Sequence, residues 1–78
     1  MTITGAKVMT KIGKAKDETR YLTITLTDGE TVDVCRTSDP TSMIYLEDLP
    51  MGEMVTLCIT QSVYKEKIYN KINSIKDF

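Results

Sequence analysis

Polar and apolar residues alternate with a period of two over most of the chain, and threonine, valine and isoleucine fill many of the alternating sites. That period, with that β-branched composition, predicts strands and not helices. The clearest run is Tyr21 to Thr27, where Leu22, Ile24 and Leu26 point one way and Tyr21, Thr23, Thr25 and Thr27 the other. Asp28-Gly29 follows at once, a dipeptide suited to the positive-φ positions of a tight hairpin. Alternation resumes from Thr31 to Cys35, which predicts a third strand with Val32 and Val34 turned inward and Asp33 outward. Upstream, Ile3 to Ile12 reads as a longer first strand. Val8, Thr10 and Ile12 are expected inward, Lys7, Met9 and Lys11 outward, with a bulge at Gly5.

The stretch Ser38-Asp39-Pro40-Thr41-Ser42 interrupts the strand pattern and has the form of a helix start, with Asp39 as N-cap and Pro40 at the first helical position. Pro50 stops the helix after one or two turns, with Met43, Ile44, Leu46 and Leu49 as its apolar side, so it is expected to plug one end of a barrel. A second hairpin follows. Met54 to Ser62 places Val55, Leu57 and Ile59 inward, and Ile68 to Ile75 places Ile68 and Ile72 inward with Tyr69 and Lys71 outward. The spacing of Ile72 and Ile75 breaks the period and predicts a bulge or strand end near Asn73-Ser74. Three strands, a short helix and two more strands is the order of an all-β, five-stranded OB-fold, a Greek-key barrel. SH3-like and Sm-like barrels are the rivals. The helix between strands three and four, and a first strand long enough to pair twice, favour the OB-fold.

At 78 residues the chain is read as a single domain spanning 1–78, with a thin core. Hydrophobic residues at 41% and charged residues at 27% match ordinary globular usage and exclude intrinsic disorder. The lack of histidine removes Ser-His-Asp and Cys-His catalysis and every histidine-containing zinc site. Cys35 and Cys58 have no C-x-x-C spacing and are expected to be free thiols in or against the core, so neither a metal nor a cofactor is expected. Met43-Ile44-Tyr45-Leu46 is too short an apolar run to cross a bilayer, and Met1 to Gly5 has no signal-peptide core, which predicts a cytoplasmic protein without membrane contact.

The net charge of −1 conceals a segregation. Lys7, Lys11, Lys14 and Lys16 follow one another without an acid, and Lys65, Lys67, Lys71 and Lys76 meet only Glu66. From Asp28 to Glu53 the charged residues are Asp28, Glu30, Asp33, Asp39, Glu47, Asp48 and Glu53, with Arg36 alone in opposition. Such a layout can fold into one basic and one acidic face, the electrostatic condition for holding a phosphate backbone. Solvated charges on strand surfaces account for the same pattern equally well.

In OB-folds oligonucleotides lie across strands two and three, between the loop joining strands one and two and the loop joining strands four and five. Those loops are Gly13 to Arg20, with Lys14, Lys16 and Arg20, and Ser62 to Lys67, with Tyr64, Lys65 and Lys67. Tyr21 opens the outward row of the second strand, and Tyr69 stands outward with Lys71 on the last. Lysine neutralises phosphate while a tyrosine ring stacks on a base, which suits single strands of any sequence. Tyrosines in a small barrel are also often buried with only the hydroxyl wet, and Tyr45 fits packing better than binding.

The run Val55-Thr56-Leu57-Cys58-Ile59-Thr60-Gln61-Ser62-Val63-Tyr64-Lys65-Glu66-Lys67-Ile68-Tyr69-Asn70-Lys71-Ile72 resembles the last hairpin of small OB-fold single-stranded DNA-binding proteins of phage or mobile-element type. The resemblance implies a DNA-coating role in replication or recombination, with Lys65, Lys67, Tyr69 and Lys71 as binding positions. A homodimer is expected, because one small basic face covers few nucleotides, with Met9 and Met54 as contacts. The alternative is a protein-interaction module or adaptor subunit. An enzyme is not expected, Ser62 near Lys65 being the one faint nucleophile pair.

Overall fold

The computed structural model describes residues 1–76. Its elements are β1 (Thr2–Lys14), β2 (Arg20–Thr27), β3 (Val32–Thr37), α1 (Pro40–Asp48), β4 (Met54–Tyr64) and β5 (Lys67–Ile75). The strands close a barrel in the order β1-β2-β3-β5-β4, the OB-fold arrangement with its helix between β3 and β4. Neighbouring strands are antiparallel except β3 and β5, which run parallel. The length of β1 permits closure: Thr2 to Ala6 pair with β4, and Ala6 to Lys14 pair with β2.

Leu22, Ile24 and Leu26 of β2 are fully buried and meet Val55, Leu57 and Ile59 of β4 and Ile72 and Ile75 of β5 in one core. Leu46 of α1 closes its end, with Met43, Tyr45 and Leu49 packed against it. The helix forms where expected: Asp39 caps it by accepting from the Ser42 amide at 2.9 Å, and Pro40 occupies the first turn. Bonding by the Ser42 backbone, and then by its hydroxyl, holds the Asp39 carboxyl below its ordinary value. Ile44, read as part of the apolar side, is exposed on the far face of α1.

The facing of β3 is opposite to the expected one. Ile24 pairs with Cys35 and Leu22 with Thr37, so Cys35 and Thr37 are buried, Asp33 lies on the inner side, and Val32, Val34 and Arg36 face out. The turn Asp28 to Thr31 sets this register. The Asp28 carboxylate accepts from the amides of Glu30 and Thr31, and Gly29 takes a φ of 95°. Both cysteines are free, and burial, followed by the Asp33 charge, pushes the Cys35 thiol up to about 11.

β1 departs from expectation at its bulge and at the facing of Lys7, and Val8 and Ile12, expected inward, are exposed. The bulge lies between Lys7 and Met9, not at Gly5. Gly5 instead serves close packing, since a side-chain carbon there would lie 3.0 Å from the Thr27 carbonyl oxygen. Beyond the bulge Met9 and Lys11 oppose Thr25 and Thr23 on the outer face as predicted, but before it Lys7 pairs with Leu26 and turns inward. Lys7 is buried, and its Nζ donates to the carbonyls of Leu46, Glu47 and Leu49 at 2.8, 2.9 and 2.7 Å. These are the C-terminal carbonyls that a helix cannot satisfy itself, so one ammonium locks α1 to β1. The predicted break in β5 is present, because the register with β4 shifts between Cys58 and Ile59 and returns both Ile72 and Ile75 to the core.

Candidate nucleic-acid interface

The β4–β5 hairpin runs past the barrel as an arm. Its last buried pair is Ile59 with Ile72, and beyond it Gln61 pairs with Asn70, Val63 with Ile68 and Tyr64 with Lys67. Ile68, expected inward, is therefore 63% exposed: its parity is inward, but there is no barrel at that height. Lys65 and Glu66 form the turn with φ of 50° and 66°, the two successive positive values that let two residues close a twisted hairpin.

β5 touches β3 over only two pairs, Cys35 with Asn70 and Arg36 with Lys71. Asn70 fastens this junction, donating to the Val34 carbonyl at 3.0 Å and accepting from the Gln61 side chain at 3.0 Å. On either side of the junction the strands diverge and leave an open groove of about 610 Å³, lined among others by Thr23, Val34, Arg36, Ile68, Tyr69 and Lys71. Val34 is 50% and Tyr69 45% exposed there, so apolar surface lies open beside two cations, Arg36 and Lys71, and one carboxylate, Asp39. Arg36 and Lys71 are register partners in the parallel ladder, which sets two cationic side chains at the junction.

Directly opposed residues of an antiparallel pair share a face, so Tyr64 with Lys67, Ser62 with Tyr69 and Thr60 with Lys71 form one side of the arm. That side continues through Arg36 to Thr23 and, two residues along β2, to Tyr21. Six of the expected site residues thus belong to one region: Tyr21, Tyr64, Lys65, Lys67, Tyr69 and Lys71. Lys65 stands at the arm's tip with its ammonium 5.4 Å from the centre of the Tyr64 ring.

The remaining three, Lys14, Lys16 and Arg20, belong to the β1–β2 hairpin, where Lys14 pairs with Arg20. Lys16 lies in the connecting loop beside Asp17, whose carboxyl is held low by bonding to Thr19. Arg20 has the parity of inward Leu22 and borders a second hollow with Ile12, Met43, Ile44, Glu47 and Asp48. It faces the acids of α1 and not the groove.

Sequence reasoning missed Val34 and Arg36, both placed on the outer face by the register of β3. It also took Tyr21 for an open ring. The Arg36 guanidinium carbon lies 3.8 Å from the ring centre.

The fold has solved counterparts. The mitochondrial single-stranded DNA binding protein Rim1 from S. cerevisiae superimposes in one crystal form with a TM-score of 0.76 at 14% identity, over 97% of this chain and 90% of that one. A second crystal form gives a TM-score of 0.76 at 16% identity, over 97% and 88%. The likeness is one of fold. No family model and no curated protein matches the chain. Among the described residues no helix is long and apolar enough to cross a membrane.

Proposed function

We propose that this chain binds single-stranded nucleic acid, DNA in preference to RNA, with little regard to sequence. The observation that carries this reading is the groove between β3 and the arm, where Val34, Ile68 and Tyr69 expose apolar surface beside Arg36 and Lys71. Water-exposed apolar surface edged by cations is what a flexible polyanion with unstacked bases can cover. The structural counterparts are by their names single-stranded DNA-binding proteins, which supports DNA as the polymer.

Within this reading Lys65, Lys67 and Lys71 contact phosphates along the arm, Lys14 and Lys16 extend the cationic surface on the β1–β2 hairpin, and Tyr64 and Tyr69 stack on bases. The chain coats single strands in replication or recombination, without a catalytic step of its own. It works as a homodimer, for which exposed Met9 and Met54 are the candidate contacts.

A salt titration with labelled oligo-dT tests the charge component. The log affinity should fall with log salt at about 0.7 per neutralised phosphate, summed over a few contacts. A flat response would contradict the proposal and favour the adaptor reading. Light scattering on the same samples at micromolar protein should show two chains per particle, and a monomer with and without DNA contradicts the dimer.

A further inference from the structure

Tyr21 is sandwiched. A side-chain carbon on Gly13, its partner in β1, would fall 2.6 Å from both Cζ and the hydroxyl oxygen of the ring and 2.9 Å from Cε1. Those three distances place the point above the ring, not at its edge, so the Gly13 backbone supports one face. All three atoms nearest that point belong to Tyr21, while the Arg36 guanidinium carbon is 3.8 Å from the ring centre; β1 with Gly13 and β3 with Arg36 flank β2 on opposite sides, so the guanidinium is assigned to the ring's other face. The order outward is glycine backbone, tyrosine ring, guanidinium.

We infer that this stack is a base-binding platform whose contact surface is the Arg36 guanidinium, with Tyr21 as the backing that holds it flat. The ligand class is the planar base of a single-stranded nucleic acid, so the inference rests on the proposed function and refines it at one position. Both faces of Tyr21 are taken, which leaves its ring no surface for a base. Arg36 is exposed and borders the groove. A guanidinium is planar and weakly hydrated, stacks on rings by its face, and keeps its edge hydrogens for acceptors, which an ammonium cannot reproduce. Gly13 completes the device, because no other residue leaves room for the ring.

The test compares wild type, Arg36→Lys, Arg36→Ala, Tyr21→Ala and the double alanine variant on oligo-dT and on a strand of equal length without bases. Arg36→Lys keeps the charge, so its salt slope should match wild type while its affinity for oligo-dT falls roughly five- to hundredfold, the range of one lost stacking contact. On the abasic strand it should bind as wild type does. Tyr21→Ala and Arg36→Ala should be strongly non-additive on oligo-dT, the double variant binding about as well as the weaker single one. Wild-type affinity of Arg36→Lys for oligo-dT would overturn the inference and leave the proposed function standing. Additive losses would also overturn it, by assigning the ring its own contact. Failure of the wild-type protein to bind either strand would overturn both.

Discussion

Tyr69→Ala is expected to lose about 1 to 3 kcal/mol of affinity for single strands, with its salt slope unchanged. The ring stands on the groove side of the arm, directly opposite Ser62, and is 45% exposed. Its removal takes away stacking surface but no charge. Because the ring lies outside the buried core, the variant should unfold within about 1 kcal/mol of wild type, against about 3 to 5 kcal/mol for an aromatic cut from a core. Lys71→Ala differs in kind: the slope should drop by about 0.7 and all sequences should weaken alike. Oligonucleotide titrations at several salt concentrations, paired with urea unfolding, separate the two. A Tyr69→Ala protein that unfolds in buffer, or one that binds as wild type does, contradicts the site.

The largest effect on stability is expected at Lys7. Its ammonium makes three hydrogen bonds of 2.9 Å or less to the last carbonyls of α1 and is shielded from water. Lys7→Met keeps the length and the apolar stem but strands those acceptors, at a cost of about 2 to 4 kcal/mol. Arginine should not restore it, since its planar fork does not fit three carbonyls converging on one point. Chemical denaturation measures the loss directly. A Lys7→Met protein within about 0.5 kcal/mol of wild type would show that packing alone holds the helix.

The strands, the helix and its cap were legible because each rests on local chemistry: period-two patterning, Asp28-Gly29, and Asp39-Pro40. The facing of β3 was also available, through a rule of pairing and not of composition. A hairpin closed by two or by four residues pairs Leu22, Ile24 and Leu26 with odd-numbered positions, so Asp33, Cys35 and Thr37 had to turn inward. Two valines in alternation suggested otherwise, yet Val34 is a β-branched residue facing the groove, where exposed apolar surface has a use. Lys7 was hidden by the bulge after it, which reverses parity without any glycine to mark it. Ile68 has the parity the pattern gave it, but alternation cannot tell where a hairpin leaves its barrel.

The partnership of Tyr21 with Arg36 lay beyond sequence reasoning, because it joins residues of two strands through a register that first had to be corrected. The arm was legible only in part: alternation put Tyr69 and Lys71 on one side, but Ser62 to Lys67 was expected to be a loop, and in the structure the strands continue to a two-residue turn that pairs Tyr64 with Lys67 on that same side.

The central claim is that the groove accepts unstacked bases together with a phosphate backbone, and competition between single- and double-stranded DNA tests it most directly. A labelled oligo-dT bound to the protein is displaced by unlabelled single strand or by duplex of the same length at the same salt. Single strand should displace it at concentrations at least tenfold lower, because a duplex presents its phosphates but withholds its base faces. Equal or stronger displacement by duplex would contradict the account.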